Sequence, residues 1–528
     1  MLLREINNSG QDVLSTTFHS ILFNRQEDIL NKEELNPETP VFFVDLNLNQ
    51  VIDKITTGKE EYHLKPFFYT SLCDKDAILY RQEIMRDIEN DLLFSHIKLF
   101  AQNMRGIRKA LDDAEKCSYK YQKERLFLDS VETYCETIQS LANHLFSDNI
   151  KSTGLLAFRQ YLAGYLQSVH FIPLREETKK LIAGLSSVKY SILTKDLRVQ
   201  VRPFENETDY SAEVEQLFEK FKQEPVKDYR IDFPFVPEMN HVEAAILKGV
   251  AGLYPDIFQH LIDFYEKHFN YQDEAIRIFD REIQFYLSYL EYIAKIKKSG
   301  LKFCYPEISD SSKEIHDYEG YDLALAHKLV SENSPVVTNN FYLKGKERII
   351  VVTGPNQGGK TTFARTFGQL HYLANIGCPV PGRVARLFLF DKLLTHFEKE
   401  ENIKSLHSKF EEDIIRIHEM LNEATPKSII IMNEILSSTT LQDAVFLSKK
   451  IMSKITQLDA LCVWITFIDE LASLNEKTVS MVSAIVPENP AIRTFKIERR
   501  LADGLAYALS IAEKYRVTYK YLNERIPS

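Results

Sequence analysis

Four β-branched residues, Ile349, Ile350, Val351 and Val352, run directly into the pattern G-x-x-x-x-G-K-T at residues 354–361, and no other stretch constrains the fold as tightly. An uninterrupted β-branched run is the pattern of a strand buried on both faces. Glycines after such a strand let backbone N–H groups turn inward around phosphate oxygens, and a helix starting there adds the positive end of its dipole. The pattern therefore predicts strand, loop and helix in succession, the helix reaching about Asn375. Gly354, Pro355, Asn356, Gln357, Gly358, Gly359, Lys360, Thr361 and Thr362 form the expected binding loop. Lys360 is expected at the β- and γ-phosphates of a nucleotide, and the Thr361 hydroxyl on Mg2+.

A nucleotide site that hydrolyses also needs an acidic group at a neighbouring strand end. Ser428-Ile-Ile-Ile-Met-Asn-Glu434 offers one, an apolar strand that stops at two polar residues. Glu434 is the expected general base toward an attacking water. Asn433 is the second expected metal position, where a neutral amide oxygen holds Mg2+ less firmly than a carboxylate would.

From Arg348 onward strand, loop and helix alternate, the texture of an α/β domain. Upstream the texture differs. After the strand-like Pro40-Val-Phe-Phe-Val-Asp45, Ile97, Phe100, Met104, Ile107 and Leu111 step by three and four. Leu128, Val131, Cys135 and Ile138 do the same, and the two stripes predict an antiparallel helical hairpin. Residues 187–204 alternate in strand fashion about Thr194-Lys-Asp196, which predicts a β-hairpin inserted among the helices. Ile276, Phe279, Ile283, Tyr286, Leu290 and Ile293 predict one more long helix, ending near Ser299-Gly300. The expected division is 1–90 as a mixed region, 91–300 as a helical region carrying the hairpin, and 301–528 as the α/β domain.

Composition agrees with long helices, since 18 glycines in 528 residues is about half the roughly 7% average. The six cysteines stand singly with no C-x-x-C pair, so neither a zinc site nor a disulfide framework is expected. No apolar run approaches the ~20 residues of a membrane span. The N-terminus lacks the pattern of a signal peptide, and a cytoplasmic location is expected. The net charge of −10 is uneven: residues 1–334 carry 40 Lys+Arg against 54 Asp+Glu, and residues 335–528 carry 25 against 21. Contact with nucleic acid would therefore depend on local patches. The best candidate is Arg105, Arg108, Lys109, Lys116, Lys120, Lys123 and Arg125, with Tyr119 and Tyr121 interleaved, at the tip of the helical hairpin. Asp112, Asp113, Glu115 and Glu124 lie among them, and a solvated helix end is the competing reading.

Thr353-Gly-Pro-Asn-Gln-Gly-Gly-Lys-Thr-Thr362, followed by Ala374-Asn-Ile-Gly-Cys-Pro-Val-Pro381, resembles the ATPase domain of the MutS family of DNA mismatch repair proteins. Further segments follow in the family's order. Tyr305-Pro-Glu307 precedes the domain, and Val336-Val-Thr-Asn339 is similar to the family's F-V-x-N. Ser408-Lys-Phe-Glu-Glu412 is similar to S-T-F-x-x-E, and Ile431-Met-Asn-Glu-Ile-Leu-Ser-Ser-Thr-Thr440 to L-M-D-E-I-G-R-G-T-S. The resemblance is close over 305–515 and only architectural, through lever-like helices, over 40–300. It implies an ABC-type P-loop ATPase using ATP and Mg2+, paired with a second copy of itself, with Ser408 reaching the partner's γ-phosphate. Leu501, Leu505, Leu509 and Ala512 would lie on one face of a pairing helix or in ordinary core.

The departures carry weight as well. The family's metal Asp is Asn433, its glycine-flanked loop is Leu436-Ser-Ser-Thr-Thr440, its A-T-H motif is Ile465-Thr-Phe467, and its adenine-stacking aromatic is Val336. The resemblance thus implies that nucleotide binding survives better than hydrolysis. The F-x-E of the family's mismatch reader is missing from the first 100 residues, and Phe264-Tyr-Glu266 spells it only inside a helical pattern. The expectation is a MutS-like protein without that reader, binding duplex or branched DNA. The alternative is a nucleotide-gated scaffold that turns over little ATP and recruits a protein partner.

Overall fold

Stripes of apolar residues at helical spacing need one buried face each, and helices Asp91–Lys116 and Lys120–Ser147 supply it. In the computed structural model, which describes residues 18–25, 38–195, 198–206, 239–398, 408–486, 489–502 and 516–525, Ile97, Phe100, Met104 and Ile107 of the first helix are buried. They are matched by Leu128, Val131, Cys135 and Ile138 of the second. Asn90 starts the hairpin, its side chain accepting the N–H groups of Leu92 and Leu93 at 3.0 and 3.2 Å. The two helices run antiparallel: Asn103 Nδ2 donates to Thr137 Oγ1 at 3.2 Å, and the His96 ring stacks on His144 with centroids 3.7 Å apart.

The described residues divide into two units, drawn from 1–18, 90–150 and 155–280 in one case and from 19–89, 151–154 and 281–528 in the other. The division at 90 and 300 groups residues by texture, whereas these units group them by contact, so residues 19–89 fall with the sheet. In the first unit the expected β-hairpin is present as β1 (Tyr190–Lys195) and β2 (Arg198–Pro203), with Ile192 opposite Val201. Val201 packs on Gly249 of helix His241–Leu253, where an added Cβ would lie 3.1 Å from its Cγ2. Phe264 is buried in helix Pro255–His268 with its ring 6.2 Å from that of Phe127, so the F-x-E spelling there belongs to packing.

The second unit is built on sheets. β3 (Phe303–Cys304) pairs with β8 (Val380–Pro381), and β4 (Glu307–Ser309), β9 (Val384–Phe388), β5 (Ile315–Gly320) and β6 (Asn339–Leu343) form a four-stranded sheet in that order. The main sheet has the order β10 (Leu393–Phe397), β11 (Ile429–Asn433), β12 (Leu461–Ile465), β7 (Ile349–Thr353), β13 (Thr478–Val486), β14 (Asn489–Arg499). Its pairs are parallel except β13 with β14. Every residue of β7, β11 and β12 is buried, which explains why these strands read as apolar runs rather than as alternation. Helices Lys409–Glu423 and Leu441–Leu458 cover one side, where Ile417, Met420, Met452 and Ile455 pack with Met432 and Trp464. Helix Lys360–Asn375 follows β7 as expected and is almost wholly buried. The molecule is thus mixed, a helical region and an α/β region. Among the described residues no helix is long and apolar enough to cross a membrane.

One expectation is corrected. Pro40-Val-Phe-Phe-Val-Asp45 is not a strand but enters the short helix Phe42–Asp45. Phe43 and Leu46 are fully buried, three residues apart, while Val41 and Val44 are exposed. Phe42 and Phe43 both meet the Tyr372 ring, at 5.3 and 5.0 Å between centroids. The demand of both rings for one partner outweighs the strand preference of the sequence. The long helix ends as expected, at Lys297, with Gly300 beyond it at φ +90°.

Asp459, between helix Leu441–Leu458 and β12, gathers the amino ends of the parallel strands. Its carboxylate accepts from Lys477 before β13 at 2.6 Å, from Lys313 at 3.0 Å and from Arg348 before β7 at 3.1 Å. The opposite, carboxyl ends of these strands are thereby left to the loop.

Candidate functional site

The carboxyl ends of parallel strands, where the chain turns outward into loops, are where open α/β sheets bind ligands. β7 leaves the sheet there at Thr353 and turns sharply, with Gly354 at φ +117°, Gln357 at +59° and Gly359 at +90°. Only glycine adopts the first of these without strain. Close approach sets a second demand, because Ser483 of β13 sits against the loop. Its Oγ donates to the Gly358 carbonyl at 2.7 Å, and a Cβ on Gly358 would come within 2.2 Å of that oxygen. The loop therefore presents backbone, and Gly359 caps helix Lys360–Asn375, whose first N–H groups open at the same point.

Lys360 is 4% exposed. Its Nζ donates to the carbonyls of Gly354 at 3.0 Å and Pro355 at 3.1 Å, and lies 3.7 Å from Glu434 Oε1. Burial pulls the ammonium below its ordinary value, Glu434 opposes that, and Arg493 adds to it. Glu434 follows β11 in a left-handed conformation, φ +53°, with its N–H donated to the Ile465 carbonyl at 3.0 Å. This turn places its side chain beside Lys360. Thr361 Oγ1 donates to Asn433 Oδ1 at 3.1 Å, which joins the two expected metal positions. A hydroxyl and an amide oxygen form a hard, uncharged donor pair. That pair fits Mg2+, which takes its remaining ligands from phosphate and water. Among the described residues no group of three or more His, Cys, Asp or Glu side chains is placed to hold a metal.

The other expected residues take separate places. The Asn356 carbonyl accepts from Arg493 Nε at 3.2 Å, and the Thr362 carbonyl accepts from Thr366 Oγ1 at 2.9 Å. Ser408 is bonded elsewhere: it caps helix Lys409–Glu423, its Oγ accepting the Glu411 N–H at 3.3 Å. Leu505, Leu509 and Ala512 lie outside the described residues. Of the basic cluster, Arg108 is paired with Asp280, Lys120 with Glu124 at 3.9 Å and Arg125 with Asp129 at 2.7 Å, while Lys123 lies over the Tyr265 ring.

Sequence reasoning missed three neighbours of the loop: Ser483, Arg493 and Phe495. Phe495 has φ +57° and would stand 3.6 Å from a Cβ on Gly359, and its carbonyl accepts from Asn339 Nδ2 at 3.1 Å. All three come from the β13–β14 pair, and no local motif marks them.

Residues 350–520 match the family model described as MutS domain V. The chain is 26% identical over 215 residues to the DNA mismatch repair protein MutS of Orientia tsutsugamushi (strain Boryong), covering 40% of this chain and 24% of that protein. It is 31% identical over 203 residues to the DNA mismatch repair protein MSH3 of Yarrowia lipolytica, covering 37% of this chain and 20% of that protein. The chain thus spans about a quarter of the first relative's length and a fifth of the second's. The matched stretch holds the loop, Asn433 and Glu434, so residues 350–520 are similar to domain V of the MutS proteins.

Proposed function

We propose that the chain is an ATP-dependent DNA-binding protein of the MutS kind, with a P-loop ATPase domain that acts in pairs. The observation that carries this reading is the meeting of Lys360 with Glu434 at 3.7 Å and of Thr361 with Asn433 at 3.1 Å, at one loop. Loop N–H groups and the first turn of helix Lys360–Asn375 take the phosphate oxygens, and Lys360 adds a positive charge among them. Thr361 and Asn433 would hold Mg2+, which when bound would supply Lewis acidity toward the same oxygens. Glu434 accepts a proton from the attacking water as its oxygen bonds to the terminal phosphorus. The bond from that phosphorus to the bridging oxygen breaks, and ADP leaves with the electron pair. Asn433 brings no charge to the metal, so turnover is slow. Ser408, at a helix N-terminus, is the residue assigned to the partner's γ-phosphate. Duplex or branched DNA is the proposed macromolecular ligand, supported by what the relatives are named for.

Asn433 and the ring of Phe467 over Lys360 favour a second reading, a scaffold that binds ATP without useful turnover. Steady-state ATP hydrolysis by the wild type and by Glu434→Ala, with and without branched duplex DNA, separates the two. DNA-stimulated turnover that Glu434→Ala abolishes supports the first reading. Nucleotide binding without turnover supports the second.

A further inference from the structure

An ammonium has three N–H donors, and the structure accounts for all three of Lys360's. Two go to the carbonyls of Gly354 and Pro355 at 3.0 and 3.1 Å. The remaining direction is shared by Glu434 Oε1 at 3.7 Å and by the face of Phe467, whose ring centroid lies 4.4 Å from Nζ. The backbone on both sides of Phe467 is fixed. The Thr466 N–H donates to the Val352 carbonyl at 3.1 Å, and Thr466 Oγ1 accepts the Ile468 N–H at 3.1 Å. The ring itself is 55% exposed. It is held at the site by its main chain while more than half of its side chain faces solvent, so swinging it aside costs chiefly its cation–π contact.

The face of an aromatic ring is negative, attracting an ammonium and repelling a phosphate oxygen. A phosphate oxygen reaching Lys360 from the open side therefore has to replace the ring, because the loop carbonyls close the other two directions. We infer that Phe467 is a specificity-determining residue that penalises the terminal phosphate of a nucleoside triphosphate, so that this site favours the diphosphate more than a site without the ring would. The inference rests on the nucleotide reading above. It assigns the preference to a single side chain just beyond the end of β12, a different strand end from Asn433 on β11 and from the loop after β7.

The test is equilibrium titration of the full chain with ADP and with a non-hydrolysable ATP analogue, for the wild type, Phe467→Ala and Phe467→Leu. Leu keeps apolar bulk but removes the negative ring face, and it serves if the Ala variant is poorly folded by circular dichroism. The expected result is a ratio of triphosphate to diphosphate affinity that rises about two- to five-fold in both variants, the worth of one exposed cation–π contact. An unchanged or lower ratio, with binding intact, overturns the inference and leaves the nucleotide reading standing. No binding of either nucleotide by any of the three proteins removes both.

Discussion

Two buried or half-buried carboxylates pull stability in opposite directions with pH. Burial alone would raise Asp459, but the bonds from Lys477, Lys313 and Arg348 outweigh it and hold the carboxyl well below its ordinary range. A depressed carboxylate contributes stability that is fully present above its unfolded value, about 3.9, and is lost as pH falls toward the folded one. Asp459→Asn should therefore cost about 1 kcal/mol at pH 7, discounted for its partial exposure. In urea melts the gap to the wild type should close as pH drops below 4, and a gap constant from pH 7 to 3 would refute the assignment. Asp317 behaves oppositely. It is fully buried with no hydrogen-bond partner on either oxygen among the described residues, and burial first, then Glu319, pushes its carboxyl well above the usual value. Ionised Asp317 is disfavoured in the fold, so its contribution worsens as pH rises above about 3.9. Asp317→Asn should raise the melting temperature at pH 8 by more than at pH 4, and a larger gain at pH 4 contradicts this.

At the scale of elements, what was legible followed from locality. Loop, Lys360 and Thr361 lie within one short run, and Glu434 ends an apolar strand, so β7, the helix after it and β11 could be placed without knowing the sheet. Ser483 could not, because its role depends on β13 lying beside β7 with Val482 opposite Thr353. Phe42–Asp45 reads as a strand because β-branched and aromatic residues suit one, and only the position of Tyr372, remote in sequence, makes it a helix. The consequence can be tested at Ser483. Its hydroxyl ties β13 to the Gly358 carbonyl, and removing one such bond costs about 1 kcal/mol. Ser483→Ala should lower nucleotide affinity several-fold through a looser loop while shifting the melting temperature by only a few degrees. Unchanged affinity with an equally small thermal shift would mean that the loop holds its shape without β13.

For the whole molecule, the charge distribution decides how DNA could be held. Residues 1–334 are acidic on balance, and the cations gathered at the hairpin tip are largely committed within the first unit. Arg108, Lys120 and Arg125 each face a carboxylate, and Lys123 lies over Tyr265. A cation already paired gains less from a phosphate, since the exchange trades one ion contact for another. Affinity for DNA falls with salt according to the number of phosphates neutralised, and six to ten such contacts cost about 10³- to 10⁵-fold between 50 and 200 mM salt. With few uncommitted cations the expected loss for this chain is on the order of ten- to one-hundred-fold, the value for two to four contacts. Fluorescence anisotropy with branched duplex DNA across that salt range measures it, in ADP and in the non-hydrolysable ATP analogue. A steeper loss means that the pairs at the hairpin tip open to take phosphates, and Arg125→Ala should then reduce the slope by about one. No measurable binding at 50 mM salt with either nucleotide would instead favour the scaffold, because a protein partner needs no row of free cations.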